Sequence, residues 1–211
     1  MCRILLINQK EKEDVRQYIE NFAAKCRTSK EYQGDGFGIT YKDGDTFKTI
    51  KSLKPIWYAS NIIQQIPYTT LALVHARSAF GEETIGDIEN NQPFQEDNFV
   101  FATNFNLQGV KIKSAGKIGA HKIFNLLRNK GIKTGLKEIH ENTKYIKALN
   151  FIAIQNNQII IHNEYGQDED SDYFNLWESE NKGRIVISSE RLPNLEMKSQ
   201  NGKGTFTYTL Q

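Results

Sequence analysis

Residues 1–8 read Met1-Cys2-Arg3-Ile4-Leu5-Leu6-Ile7-Asn8. The apolar run Ile4 to Ile7 is unbroken, short and bounded by polar residues, which predicts a buried strand rather than a one-faced helix. Working outward from it, residues 11–28 (EKEDVRQYIENFAAKCRT) place Val15, Tyr18, Ile19, Phe22, Ala23 and Cys26 at helical spacing. That pattern predicts an amphipathic helix with one core face, and Cys26 on that face reads as a packed thiol. The stretches GFGITYKD and DTFKTIKS are two strands joined at Asp43-Gly44-Asp45, where an Asp-Gly pair signals a hairpin.

Residues 55–66 predict a short helix, and TLALVHAR at 70–77 an apolar strand ending in His75 and Arg77. Residues 78–93 carry turn residues without periodicity and predict a loop. Residues 98–107 (NFVFATNFNL) return to strand. Two helices follow at 117–131 and 134–142, split near Gly131 and Gly135. The remainder alternates strand and turn: strands at 148–155, 158–163, 172–178, 183–189 and near 204–210, with Asn156-Asn157 as a hairpin turn. The run Asp168-Glu169-Asp170 reads as a solvated loop. Strands therefore gather at both ends of the chain with helices between them. This predicts an α+β fold, a two-sheet sandwich covered by helices, and not an alternating parallel sheet.

At 211 residues, with no linker or repeat, one domain spanning 1–211 is expected. The 27 basic and 25 acidic residues balance to a formal +2 without any basic block, which argues against a nucleic-acid partner. Two cysteines make no disulfide framework and suit a reducing, cytoplasmic setting. The apolar run after Met1 is too short for a signal peptide, and no stretch approaches a membrane span, so a soluble protein is expected. The four His and two Cys do not fall at metal-ligand spacings, so neither a metal nor another cofactor is implied.

Cys2 carries the first chemical suggestion. If Met1 is removed, which a small second residue permits, Cys2 gains a free α-amino group. An unperturbed α-amine titrates at roughly 7.7–8.0, so a useful neutral fraction exists near pH 7. It can take the thiol proton, which makes an N-terminal cysteine a nucleophile with its own base.

Four further segments keep company with that start, in this order: Asp35-Gly36-Phe37-Gly38, then Val74-His75-Ala76-Arg77-Ser78-Ala79-Phe80-Gly81, then Glu89-Asn90-Asn91-Gln92-Pro93-Phe94, then Phe101-Ala102-Thr103-Asn104-Phe105-Asn106-Leu107. In order and spacing they resemble the motifs of class II glutamine amidotransferases, which are N-terminal nucleophile hydrolases: M-C-R or M-C-G, D-G-W-G, H-x-R-x-A, N-x-H-P-F and H-N-G. Ser189-Glu190-Arg191-Leu192 resembles the family's S-E-x-L element. The M-C-R start is most similar to the stand-alone subgroup that includes γ-glutamyl amide hydrolases.

The resemblance implies a four-layer αββα sandwich of two mostly antiparallel sheets flanked by helices. It implies a small-molecule amide substrate, glutamine or a γ-glutamyl compound, cleaved through a thioester on Cys2. Arg77 would bind the substrate α-carboxylate by a bidentate pair. Asn104 would donate its side-chain N–H to the oxyanion, joined by the backbone N–H of Phe105, which stands where the family has Gly. Asp35, Gly36 and Ala79 would complete the substrate-binding set. His75, on an apolar strand, reads as structural. Any acceptor of the ammonia would lie on a separate synthase subunit.

The family's amine-binding Asp falls on Gly119, and Phe80, Gln92 and Thr103 replace a Thr and two His of the motifs. Three readings therefore stand side by side: an amidohydrolase acting on glutamine-like amides, a related amidase whose substrate has its amine capped or absent, and a binding or assembly subunit without activity.

Overall fold

A computed structural model describes residues 1–166, 171–199 and 202–211. Twelve strands and five helices follow one another along the described chain. They are β1 (Arg3–Glu13), α1 (Arg16–Arg27), β2 (Phe37–Asp43), β3 (Thr46–Ser52), α2 (Ser60–Ile63), β4 (Thr69–Ala76), β5 (Phe94–Glu96), β6 (Phe99–Val110), α3 (Gly119–Lys130), α4 (Ile132–Glu141), β7 (Thr143–Gln155), β8 (Gln158–Asn163), α5 (Ser171–Phe174), β9 (Trp177–Asn181), β10 (Arg184–Ser188), β11 (Lys198–Ser199) and β12 (Gly204–Thr209).

One sheet has seven strands in the order β11-β9-β10-β1-β4-β2-β3, and the other five in the order β12-β8-β7-β6-β5. Every paired neighbour is antiparallel. β1 lies inside the first sheet and alternates between two cores. Ile4 and Leu6 point into the layer between the sheets with Leu71, Leu73, Val100, Ala102 and Ile152. Leu5 and Ile7 point outward to meet Ile19 and Phe22 of α1. A strand covered on both faces has no polar side to show, which is the reason Ile4 to Ile7 is continuously apolar. The second sheet is covered likewise, its outer residues Phe101, Leu149 and Phe151 packing on Ile123 and Leu127 of α3 and Ile139 of α4. The layers are thus helix, sheet, sheet, helix, the expected αββα sandwich.

Several boundaries differ from expectation. Residues 11–13 belong to β1 and not to the helix, because the strand continues past its apolar run to pair Glu13 with Thr69 after an irregularity. The helix starts at Arg16. The helix expected at 55–66 is a 3₁₀ turn at Ile56–Tyr58 followed by α2. The expected loop 78–93 contains two 3₁₀ turns, Glu82–Thr84 and Ile88–Asn90. Only Gly131 separates α3 from α4. Gly135 lies within α4 where a Cβ would come 2.7 Å from Leu127, so it serves close helix packing and not a break.

The strand expected at 172–178 is α5 followed by β9, and β5 and β11 were too short to carry a pattern. The hairpin turns at Gly44 and at Asn156-Asn157 are present, the two asparagines at φ 49° and 59° as a two-residue turn demands. The acidic run Asp168-Glu169-Asp170 lies outside the described residues. No helix among the described residues is long and apolar enough to cross a membrane.

Away from the cavity described below, Glu164 ties α4 to the end of β8. Its carboxylate accepts from His140 Nε2 and His162 Nε2, each 3.0 Å away, while His140 Nδ1 donates to the Leu136 carbonyl at 2.7 Å. Burial pushes the Glu164 carboxyl up, but the two histidine bonds outweigh it and leave it lowered. Burial likewise opposes the charge on His140, but the Leu136 carbonyl and Glu164 outweigh that and raise it.

The two signs bound a window. The Glu164 contribution is present above the ordinary carboxylate range, near pH 4.3, and fades as pH falls through its lowered value. The His140 contribution is present below about pH 6.5 and fades as pH rises through its raised value. The melting-temperature difference between the wild type and Glu164→Gln should therefore peak between about pH 4.5 and 6.5 and shrink on both sides. A difference that stays constant from pH 4 to 8 would contradict this account.

Candidate active site

The start of β1 is held by two neighbouring segments, Ser189-Glu190 and Tyr173. Ile4 N–H donates to Ser189 Oγ at 2.9 Å, and Ser189 N–H returns to the Ile4 carbonyl at 3.0 Å. Arg3, 1% exposed, pairs with Glu190 at 2.7 Å and lies 4.2 Å from the Tyr173 ring centre. These contacts place the S-E element and Arg3 as the clamp behind Cys2. The M-C-R pattern alone carries no role for Arg3; its burial and its pairing with Glu190 reveal one.

Cys2 directly precedes β1 and is half-buried. Its Sγ accepts from Ser78 N–H at 3.4 Å and lies 3.5 Å from the Ser78 carbonyl. Burial raises the thiol above its ordinary value, opposed by the Ser78 bond, the nearby amino terminus and Arg77. In the chain with Met1 present, the terminal ammonium pairs with Glu31, and the Met1 carbonyl accepts from Gln33 at 2.7 Å. Burial lowers that ammonium to about 6.

Arg77 continues β4 past Ala76 and is 3% exposed. Its guanidinium donates to the Thr84 carbonyl at 2.7 Å, to Thr84 Oγ1 at 3.0 Å and to Asn91 Oδ1 at 3.4 Å. All three acceptors are neutral, and no carboxylate of the described residues lies within ion-pair distance of it. A buried cation without a counter-ion is costly, so the arrangement suits an anionic ligand, for which the fork still has donors in hand.

Asp35 and Gly36, expected in the substrate-binding set, brace this strand end and do not themselves line the cavity described next. Asp35 Oδ2 accepts from Ala79 N–H at 2.7 Å, Asp35 N–H donates to the Arg77 carbonyl at 3.2 Å, and Arg77 N–H to the Gly36 carbonyl at 2.9 Å. Gly36 has φ +116°, and a Cβ there would meet Asn91 Nδ2 at 2.3 Å and the Ser52 carbonyl at 2.7 Å, so only glycine fits. Ala79 does line the cavity.

That cavity, about 670 Å³, brings together Cys2, Arg77, Ala79, Phe105 and Gly119. Thr103 and Phe105 of β6 form part of its wall, and Asn104 lies between them, fully buried. Both side-chain amide atoms of Asn104 lack a hydrogen-bond partner among the described residues. Alternation turns Asn104 to the inter-sheet side with Ala102, and it does not itself line the cavity.

The backbone supplies a second donor. Thr103 N–H points away from β7, to Gln92 Oε1 at 2.6 Å. Two residues on, Phe105 N–H points to the same edge by the parity of an antiparallel ladder. β5 pairs no further than Phe101, so that edge is open beside the cavity. Phe105 lies in regular strand without positive φ, so its backbone has no need of glycine. Its ring packs into the helix-side core and lies 3.0 Å from where a Cβ on Gly119 would sit.

His75 is fully buried on the inter-sheet side, and burial, reinforced by Arg77, lowers it to about 3, so it is neutral at physiological pH. Cys26 is buried on α1 as a free thiol, with its pKa raised well above the ordinary value by burial. Among the described residues no group of three or more His, Cys, Asp or Glu could hold a metal ion.

No family model matches this sequence, and no curated protein does. Solved structures do. Glutamine phosphoribosylpyrophosphate amidotransferase from B. subtilis, complexed with ADP and GMP, is 17% identical with a TM-score of 0.64, over 100% of this chain and 49% of that one. An allosteric regulatory enzyme of purine biosynthesis is 16% identical with a TM-score of 0.66, again over 100% and 49%. A glutamine aminotransferase class-II domain protein from Silicibacter pomeroyi is 14% identical with a TM-score of 0.59, over 100% of both chains. The chain thus spans about half the length of the first two. What it shares with all three is the fold: the two-sheet, four-layer sandwich found in class II glutamine amidotransferase structures.

Proposed function

We propose that this protein is an amidohydrolase of the glutamine amidotransferase kind, cleaving the side-chain amide of a carboxylate-bearing, γ-glutamyl substrate through a thioester on Cys2. The observation that carries this reading is the buried Arg77, with no carboxylate at ion-pair distance among the described residues, on the same cavity as Cys2. A cation so placed binds a carboxylate and leaves the substrate's far amide to be presented to the thiol.

The steps follow from the residues. Removal of Met1 gives Cys2 the α-amine. An unperturbed α-amine titrates at roughly 7.7–8.0, so a useful neutral fraction exists near pH 7 to accept the thiol proton. The thiolate attacks the amide carbon. Asn104 Nδ2 and Phe105 N–H stabilise the resulting oxyanion. The protonated α-amine returns its proton to the leaving nitrogen, and ammonia departs. Water, activated by the same amine, attacks the thioester and releases the carboxylic acid, restoring the Cys2 thiol. The sequence is complete as hydrolysis, and passing ammonia to an acceptor would require a separate synthase subunit.

Substituting Arg77 tests the reading. Arg77→Gln should lower kcat/KM for ammonia release about 10- to 100-fold, the worth of a charge-assisted pair. The loss should vanish for a substrate whose α-carboxylate is replaced by a carboxamide, since that substrate never engages the guanidinium. An equal loss on both substrates would show that Arg77 serves only the fold.

A further inference from the structure

The cavity is asymmetric in charge. Arg77 supplies a buried positive group, yet no buried carboxylate answers it: the acidic side chains on the wall, Glu31 and Glu83, are both exposed, and Glu31 pairs with the terminal ammonium. What stands beside Arg77 is Asn90. It is 4% exposed, lines the cavity, and donates Nδ2 to the same Thr84 carbonyl that Arg77 binds, at 3.2 Å. That bond orients the amide: with the NH₂ group on a carbonyl, the other atom is the oxygen. Asn90 Oδ1 is buried and has no partner among the described residues. A buried acceptor left open beside a cation asks for a donor on the ligand.

The donor it suits is neutral. A neutral carbonyl gives an ammonium only part of what a carboxylate would, and Arg77 next to it repels a second positive charge. An amide N–H meets neither objection. The region beyond is apolar. Phe105, Leu107, Ile118 and Ala120 line it, and a Cβ on Gly119 would meet the Phe105 ring at 3.0 Å, so the ring crowds that position.

We infer that the cavity takes substrates whose nitrogen next to the carboxylate is acylated: N-acylglutamine-like amides, with the carboxylate on Arg77, the neutral N–H on Asn90 Oδ1, and the acyl group against Phe105 and Leu107. This assignment rests on the amidohydrolase reading, and it makes Asn90 and Phe105 the residues that set specificity.

Binding separates the two claims. Cys2→Ala keeps a small second residue, so Met1 removal proceeds, and it binds without turnover. Calorimetry on that variant, its mass confirmed, should show N-acetyl-L-glutamine bound at least tenfold more tightly than L-glutamine, and N-benzoyl-L-glutamine more tightly still. N-acetyl-N-methyl-L-glutamine, which lacks the N–H, should lose about three- to tenfold. Asn90→Ala in the same background should erase that N-methyl penalty. The ligand series stands even where Asn90→Ala disturbs the loop.

The inference is overturned by L-glutamine binding as well as or better than its acylated forms, by a preference for L-glutamine that Glu83→Gln abolishes, or by no binding of any of them. Tight N-acylglutamine binding with no ammonia release from the wild type upholds the site and sinks the amidohydrolase reading. Turnover of L-glutamine without acyl preference does the reverse.

Discussion

Cys2→Ala is expected to abolish ammonia release, with a loss on the order of 10⁴-fold or more, while leaving the melting temperature and the affinity for a carboxylate ligand within about twofold of the parent. Cys2 is the one thiol on the cavity wall among the described residues. Cys26, the other thiol, is buried on α1, with its pKa raised well above the ordinary value by burial. His75 is buried and neutral. The fold does not depend on the Cys2 side chain either, because the start of β1 is held by Ser189 on Ile4 and by Glu190 on Arg3. Chemistry should therefore disappear and binding survive. Parallel loss of both would mean that Cys2 is a structural residue. Ammonia release is read by a coupled assay, binding by calorimetry and stability by differential scanning.

Asn104→Ala is expected to lower kcat about 10²- to 10³-fold, the cost of removing one oxyanion donor, with KM little changed and stability unchanged or raised. The opposite signs are the point. Asn104 is fully buried and neither end of its amide has a partner among the described residues. A buried polar group left unpaired costs about 1–3 kcal/mol, and replacing it with a methyl group removes that cost, offset by the small volume lost. A residue that weakens the fold while supporting the reaction fits a donor held ready for a charge that exists only during turnover. A melting temperature that falls in step with activity would instead make Asn104 an ordinary packing residue.

How far these features were legible in the sequence depends on how local their causes are. β1 was legible because being covered on both faces leaves an unbroken apolar run. Its extension through Glu13 was not, since residues 10–13 are exposed and carry no apolar pattern. The strand expected at 172–178 mixes α5 with the start of β9, and a four-residue helix is too short to show a period. In the site, Cys2 and Arg77 could be named because their types and order resemble known motifs. Asp35 and Gly36 were marked by the same motifs, but whether a conserved-looking turn touches the ligand or braces the strand beside it depends on tertiary contact. Asn90 lies within a motif but nothing local marks it, because its open acceptor exists only through Thr84 holding the other end of its amide. Phe105 and Gly119 lie fourteen positions apart, and only the packing of β6 against α3 shows that one crowds the other.

Labelling at the amino terminus tests the central claim most directly. The protein, purified from its native host, is incubated with the diazo-ketone analogue of glutamine, free and N-acetylated, and its intact mass and peptides are measured. A nucleophilic thiol forms a carbon–sulfur bond to the diazo carbon and expels dinitrogen. The account predicts a chain lacking Met1 that carries one adduct on Cys2, none on Cys26, and no adduct at all in Cys2→Ala. A chain that retains Met1 and takes no label, or one labelled equally well without Cys2, would contradict it.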